Sequence, residues 1–120
     1  MPKQKLTVSI DYVQPSLNKL LRIHYHEFHQ ELQRALEHAW VALRGKPKFT
    51  GKRVKIAYTI YFGNKHKHDY SNYGQKLLDD ALVQESIIDD DSDKVIVEET
   101  LRFKHDKNDP RTEIEIEEIK

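Results

Sequence analysis

From Val54 to Phe62 the residues Val54, Ile56, Tyr58, Ile60 and Phe62 share one side of an alternating pattern. A period of two puts that apolar row on a core and turns the intervening residues away from it. A strand apolar on one side only belongs to a sheet covered on one face. Leu6, Val8, Ile10 and Tyr12 repeat the pattern against Thr7, Ser9 and Asp11, and further strands are expected from Val95 to about Phe103 and, after Asn108-Asp109-Pro110, through Ile114 and Ile116. Gln14-Pro15-Ser16-Leu17-Asn18 is turn chemistry. From about Leu21 to Leu43 the spacing becomes helical, with Tyr25, Phe28, Leu32, Ala35, Leu36, Ala39, Trp40 and Leu43 on one stripe. Gly45 and Pro47 end that helix. Ser71 or Asn72 is placed to cap a second helix carrying Leu77, Leu78, Ala81 and Leu82 and ending near Gln84. The expected order is β-α-β-α-β-β: an α+β domain with a single four-stranded sheet and two helices on one face.

The 120 residues suit one domain spanning 1–120. With 38% hydrophobic residues and a mean hydropathy of -0.79 the core is thin, and with no Cys neither a disulfide nor a thiolate-bound zinc reinforces it. A second subunit is the expected source of further burial. No apolar run is long enough to span a membrane, and Met1-Pro2-Lys3-Gln4 leads into a strand without a signal-peptide core, so a cytoplasmic protein is expected. Twenty basic and twenty acidic residues cancel overall but not locally. Residues 1–76 hold 14 Lys+Arg and 5 Asp+Glu, and residues 77–120 hold 6 and 15, giving +9 followed by −9. A basic segment suits a polyanionic partner.

Asp89, Asp91 and Asp93 match the first carboxylates of a calcium-binding loop, but Lys94 stands where the sharp turn needs Gly, and Thr100 where a bidentate Glu belongs. Four of the seven histidines, His24, His26, His29 and His38, fall in the helical stretch, where only His26 and His29 share a face. His66-Lys67-His68-Asp69 lacks the second Asp-His pair of a binuclear zinc site and is read as a basic loop. Glycine-rich phosphate loops and serine-nucleophile signatures are absent.

Three segments in one order carry more information than any of these motifs. Asp69-Tyr70-Ser71-Asn72-Tyr73-Gly74-Gln75-Lys76, then Asp79-Asp80-Ala81-Leu82-Val83, then Ile87-Ile88-Asp89-Asp90-Asp91-Ser92 resembles the RusA family of Holliday-junction resolvases, small phage and bacterial endonucleases. The Pro15-Ser16-Leu17-Asn18 turn with Leu20-Leu21-Arg22, and the closing Asn108 to Ile114 segment, are similar to members as well. The resemblance implies that Asp69 and Asp91 bind a catalytic Mg²⁺, for which Mn²⁺ can substitute, and that Lys76 assists cleavage. Asn72 matches the motif Asn. Ser71 stands where many members carry an Asp, offering a neutral hydroxyl in place of an anionic ligand. Asp80, Asp89 or Asp90 is placed to compensate, with Asp90 taken as the further metal ligand. Water can also fill the vacancy, since Mg²⁺ keeps several waters.

Elementary chemistry points the same way. A phosphodiester is anionic and inert, so hydrolysis at neutral pH needs a hard cation on carboxylates to polarise phosphoryl oxygen and acidify water. Lys76 lies one or two helical turns from Asp69, within reach of a phosphate, although with Asp80 it also makes an ordinary i,i+4 pair. DNA contacts are assigned to Lys65, Lys67 and Asn72 beside the site, Lys46, Lys48, Lys52 and Arg53 before the second strand, and Lys19 and Arg22 near the first turn. Tyr70 and Tyr73 are candidates for stacking on bases, with one of them expected to pack on its own domain instead. A four-way junction presents two symmetry-related strands, which motivates a homodimer with one carboxylate site on each. A junction-binding module of the same fold that cleaves weakly or not at all, because of Ser71, is the alternative.

Overall fold

The computed structural model describes residues 3–119; Met1, Pro2 and Lys120, which the single-domain reading includes, lie outside them. Strands β1 (Lys5–Ile10), β2 (Arg53–Phe62), β3 (Ile96–His105) and β4 (Arg111–Ile119) make one mixed sheet in the order β1-β4-β2-β3. β4 runs antiparallel to both β1 and β2, whereas β2 and β3 are parallel. Parallel neighbours need a crossover. Here it contains helix α3 (Lys76–Gln84), packed against the longer α2 (Tyr25–Leu43).

The expected alternation is realised: Leu6, Val8 and Ile10 of β1, all five even-numbered residues from Val54 to Phe62, and Ile114 and Ile116 are buried. The odd-numbered side is polar. There Lys55 faces its register partner Glu117 at 3.7 Å, so part of the basic N-terminal excess is neutralised across strands by the acidic C-terminal one.

The helices differ from expectation in two places. The stretch from Leu21 to Leu43 is not one helix: a separate α1 (Leu17–Arg22) precedes α2, with Ile23 and His24 extended between them. Ser16 accepts a hydrogen bond from the Lys19 N–H at 3.2 Å, which starts α1 early. The start of α3 also moves. Ser71 and Asn72 do not cap it but lie in a 3₁₀ turn over Tyr70–Asn72, and Gln75 is the residue before the helix. Asn72 is unavailable as a cap because its side-chain oxygen accepts from the Asn18 N–H of α1 at 3.0 Å.

The fully buried residues of α2, Ala35, Ala39 and Leu43, all lie in its C-terminal half, with Leu32 and Leu36 packed against the core beside them. At its other end Tyr25 is 73% exposed, next to Leu21 of α1 at 84%. After α3, Ser86 takes a left-handed conformation (φ 59°) while the Ile87 N–H bonds back to the Leu82 carbonyl at 2.9 Å. This closes the helix and sends Ile87 and Ile88 into the core.

Candidate active site

Helix α3 and the turn after it place three charged groups together. Lys76 and Asp80 are one helical turn apart, with Nζ and Oδ1 separated by 3.0 Å. The same ammonium lies 3.2 Å from Oδ2 of Asp91, fifteen residues along the chain. Asp91 is held there by its backbone. Ile87 and Ile88 are plugged into the core, the Phe49 N–H donates to the Ile87 carbonyl at 2.8 Å, and the Gly51 N–H donates to the Asp89 carboxylate at 2.7 Å. Beyond Asp91, the Ser92 carbonyl accepts from the N–H groups of Val95 and Ile96 at 3.1 and 2.9 Å. The hydrogen bond to Asp80, then that to Asp91, raises the Lys76 pKa above the usual lysine value. Lys76 is therefore a fully charged ammonium at neutral pH.

Under this trio lies a carboxyl that sequence reasoning did not single out. Asp79 is buried, and the hydroxyl of buried Tyr58, on β2, donates to its Oδ1. Burial, then a hydrogen bond shared with Glu99 of β3, pushes Asp79 up to about 8; the Tyr58 hydroxyl pulls it down, and the charges of Glu99 and Asp91 push it further up. At neutral pH Asp79 is thus largely a protonated acid that can donate to Glu99. One signal for this group was in the sequence, and its partner came from the strand pairing. Asp79 stands three residues before Leu82 on the apolar side of α3, and Glu99 is the register partner of core residue Ile56, hence on the helix-covered face.

The other expected site residues are distributed around this centre. Asp69 is exposed just before the 3₁₀ turn and makes no side-chain cap; its backbone carbonyl accepts from the Asn72 N–H at 3.0 Å. Ser71 is exposed. Asp90 is exposed and its pKa is lowered, first by the Ser92 hydroxyl and then by a backbone N–H, so its carboxylate closes the turn. Asp89 is spent on Gly51. Asn72 ties the 3₁₀ turn to α1, which brings Lys19 and Arg22 to this side of the domain. Lys65 and Lys67 are exposed on the loop before Asp69. Lys46 and Lys48 are exposed on the loop that packs against the Ile87–Asp89 turn, and Arg53 is exposed where β2 begins. Lys52 is half-buried and engaged within the protein, with Nζ 2.6 Å from Gln4 Oε1 and 3.6 Å from Glu118.

Among the described residues no three His, Asp or Glu side chains are gathered closely enough to hold a metal ion, so Asp69, Asp90 and Asp91 do not form one such set. The donor chemistry nevertheless suits Mg²⁺. Asp80 and Asp91 already converge on one cation, the Lys76 ammonium, and Mg²⁺ needs only one or two carboxylates when waters complete its shell. No helix among the described residues is long and apolar enough to cross a membrane.

No curated protein sequence is significantly similar to the chain. The family model for endodeoxyribonuclease RusA, by contrast, matches residues 13–117, taking in α1, α2, α3 and the turn that carries Asp91. With a match over nearly its whole length, and with the paired carboxylates and lysine in place, the chain belongs to the RusA endodeoxyribonuclease family.

Proposed function

We propose that this protein is a Mg²⁺-dependent endonuclease that resolves four-way DNA junctions as a homodimer. The observation that carries the reading is the Lys76 ammonium held between Asp80 and Asp91, in a chain that matches an endodeoxyribonuclease family from residue 13 to 117. Asp91 and Asp69 are the metal-binding carboxylates, and Asp80, which shares the Lys76 ammonium with Asp91, is the candidate to supply the ligand that Ser71 does not. Bound there, Mg²⁺ supplies Lewis-acid polarisation of a phosphoryl oxygen and a more acidic water. Lys76, whose ammonium sits on Asp80 and Asp91, supplies a positive charge that offsets the negative charge building on the phosphate during attack. Asp79 anchors α3 to β2 through Tyr58 and so keeps Lys76 in register with Asp91. Lys65 and Lys67 before the turn, and Lys19 and Arg22 on α1, track the DNA backbone. The exposed apolar residues of α1 and the start of α2, Leu17, Leu21, Tyr25 and Phe28, support a subunit interface.

The second reading, a junction-binding module that cleaves poorly, is favoured by the neutral Ser71 and by the want of a three-carboxylate set among the described residues. An end-labelled synthetic four-way junction incubated with Mg²⁺ separates the two, with EDTA, linear duplex and an Asp91→Asn variant as controls. Paired nicks that need both Mg²⁺ and Asp91 are the expected result. Tight junction binding without nicks, in Mn²⁺ as well, would establish the binding module instead.

A further inference from the structure

The loop before Asp69 and the adjoining strand ends build a cluster of rings at the β3 edge of the sheet. His68 stacks on Phe62 with ring centroids 3.6 Å apart and planes within 5°. Tyr70 stacks on Phe103 of β3 at 4.3 Å and 14°. Tyr73 meets Phe62 and Phe103 edge-on, at 5.2 and 5.4 Å, and burial raises its hydroxyl pKa. Tyr73 is therefore a packing residue. Tyr70 is different: it remains 59% exposed, so Phe103 covers one face of its ring and the other is open. Phe62, His68, Tyr70 and Phe103 floor a shallow groove of about 470 Å³ whose walls include Lys65 and Lys104.

An open aromatic face with ammonium groups beside it is complementary to a nucleobase and its phosphates, since any base can stack on the ring while the lysines meet the backbone. A fully paired duplex keeps its bases stacked on each other and has none to offer. A branch point has bases at the exchange that lack a continuous stack. Tyr70 is also the residue next to Asp69, so a base held on it would place its own backbone beside the acidic side of the site. We infer that Tyr70, backed by Phe103, is a stacking platform for an unstacked base at the branch point, and that it makes binding selective for branched over duplex DNA.

This inference rests on the proposed function, and its test keeps the two apart. Binding is measured in EDTA, where no cutting occurs, to a synthetic four-way junction and to a duplex of matching sequence. Tyr70→Ala is expected to weaken junction binding by about tenfold and to leave duplex binding within about twofold. Tyr70→Phe, which keeps the ring, is expected to bind like the wild type. In a Trp40→Phe background, Tyr70→Trp is expected to show emission quenched by the junction and unchanged by the duplex. Unchanged junction affinity in Tyr70→Ala, an equal loss on both DNAs, or a Trp signal that ignores the junction overturns the platform while leaving cleavage by the wild type intact. A wild-type protein that binds no junction overturns the platform and the proposed function together.

Discussion

The two segments flanking α3 are built on opposite plans. The one after the helix, from Glu85 to Val95, is tied down by two core isoleucines, by Phe49 and Gly51 from a distant loop, and by Ser92. The one before it, from Gly63 to Gln75, is mostly exposed and is held to the rest of the domain by ring contacts with Phe62 and Phe103 and by the Asn72–Asn18 hydrogen bond. The rigid side presents Asp91; the looser side presents Asp69, Tyr70 and two lysines. A carboxylate that must hold a cation in a defined geometry gains from a fixed backbone, because the ordering cost is met on folding. A segment that meets DNA gains from contacts that a nucleic-acid strand can replace.

The comparison breaks most severely if the rigid side loses its plug. Ile88→Ala is expected to cost about 2–5 kcal/mol of stability, the usual penalty for emptying a close-packed core position, as read by urea denaturation. A loss under about 1 kcal/mol would mean that the turn is not anchored as described. The next effect concerns the carboxyl beneath the site. The folded-state pKa of Asp79 lies above its value of 3.8 in an unfolded chain, at about 8. Its contribution is therefore complete below pH 3.8, is lost as pH rises toward about 8, and stays constant beyond. Asp79→Asn removes this slope, so denaturation in EDTA at pH 5 and pH 9 should show the variant gaining on the wild type at the higher pH. A constant difference between the two proteins would contradict the buried, protonated assignment.

Between the two segments stands Lys76, an ammonium on the carboxylates where a metal cation is proposed. Removing it in Lys76→Ala should tighten Mn²⁺ binding by about fivefold, the size expected for one nearby charge in a solvated site, while slowing cleavage. Weaker Mn²⁺ binding in that variant would show that lysine and metal use different groups. The smallest effect belongs to the looser side. Asn72→Ala should cost about 1 kcal/mol, since one exposed hydrogen bond is lost, and should weaken junction binding by releasing α1 from the turn. Equal junction affinity in that variant would separate Lys19 and Arg22 from the DNA surface.

The strands were legible because one-sided alternation is a local property: Val54 to Phe62 is buried at each even position, as its pattern predicts. The α2 stripe at Ala35, Ala39 and Leu43 was legible for the same reason. The break at Ile23-His24 was not, since neither Gly nor Pro marks it; it follows from a cap at Ser16 and a long-range bond from Asn18 to Asn72. In the site, Lys76, Asp80 and Asp91 were visible as a motif, and the first two would pair in any helix. The duty of Asp89 to Gly51, 38 residues away, was hidden. So was the open ring face of Tyr70, because its backing, Phe103, comes from another strand.

What the amino-acid sequence determined by itself is the one-faced sheet, the amphipathic helices and the ordered carboxylate and lysine motifs that carry the family relationship, all set by neighbours a few residues apart. The tertiary structure alone decided which acid is held protonated, which acids are spent on turns, which tyrosine packs and which faces solvent. Those outcomes depend on desolvation and on partners distant in the chain, and neither can be read from local spacing.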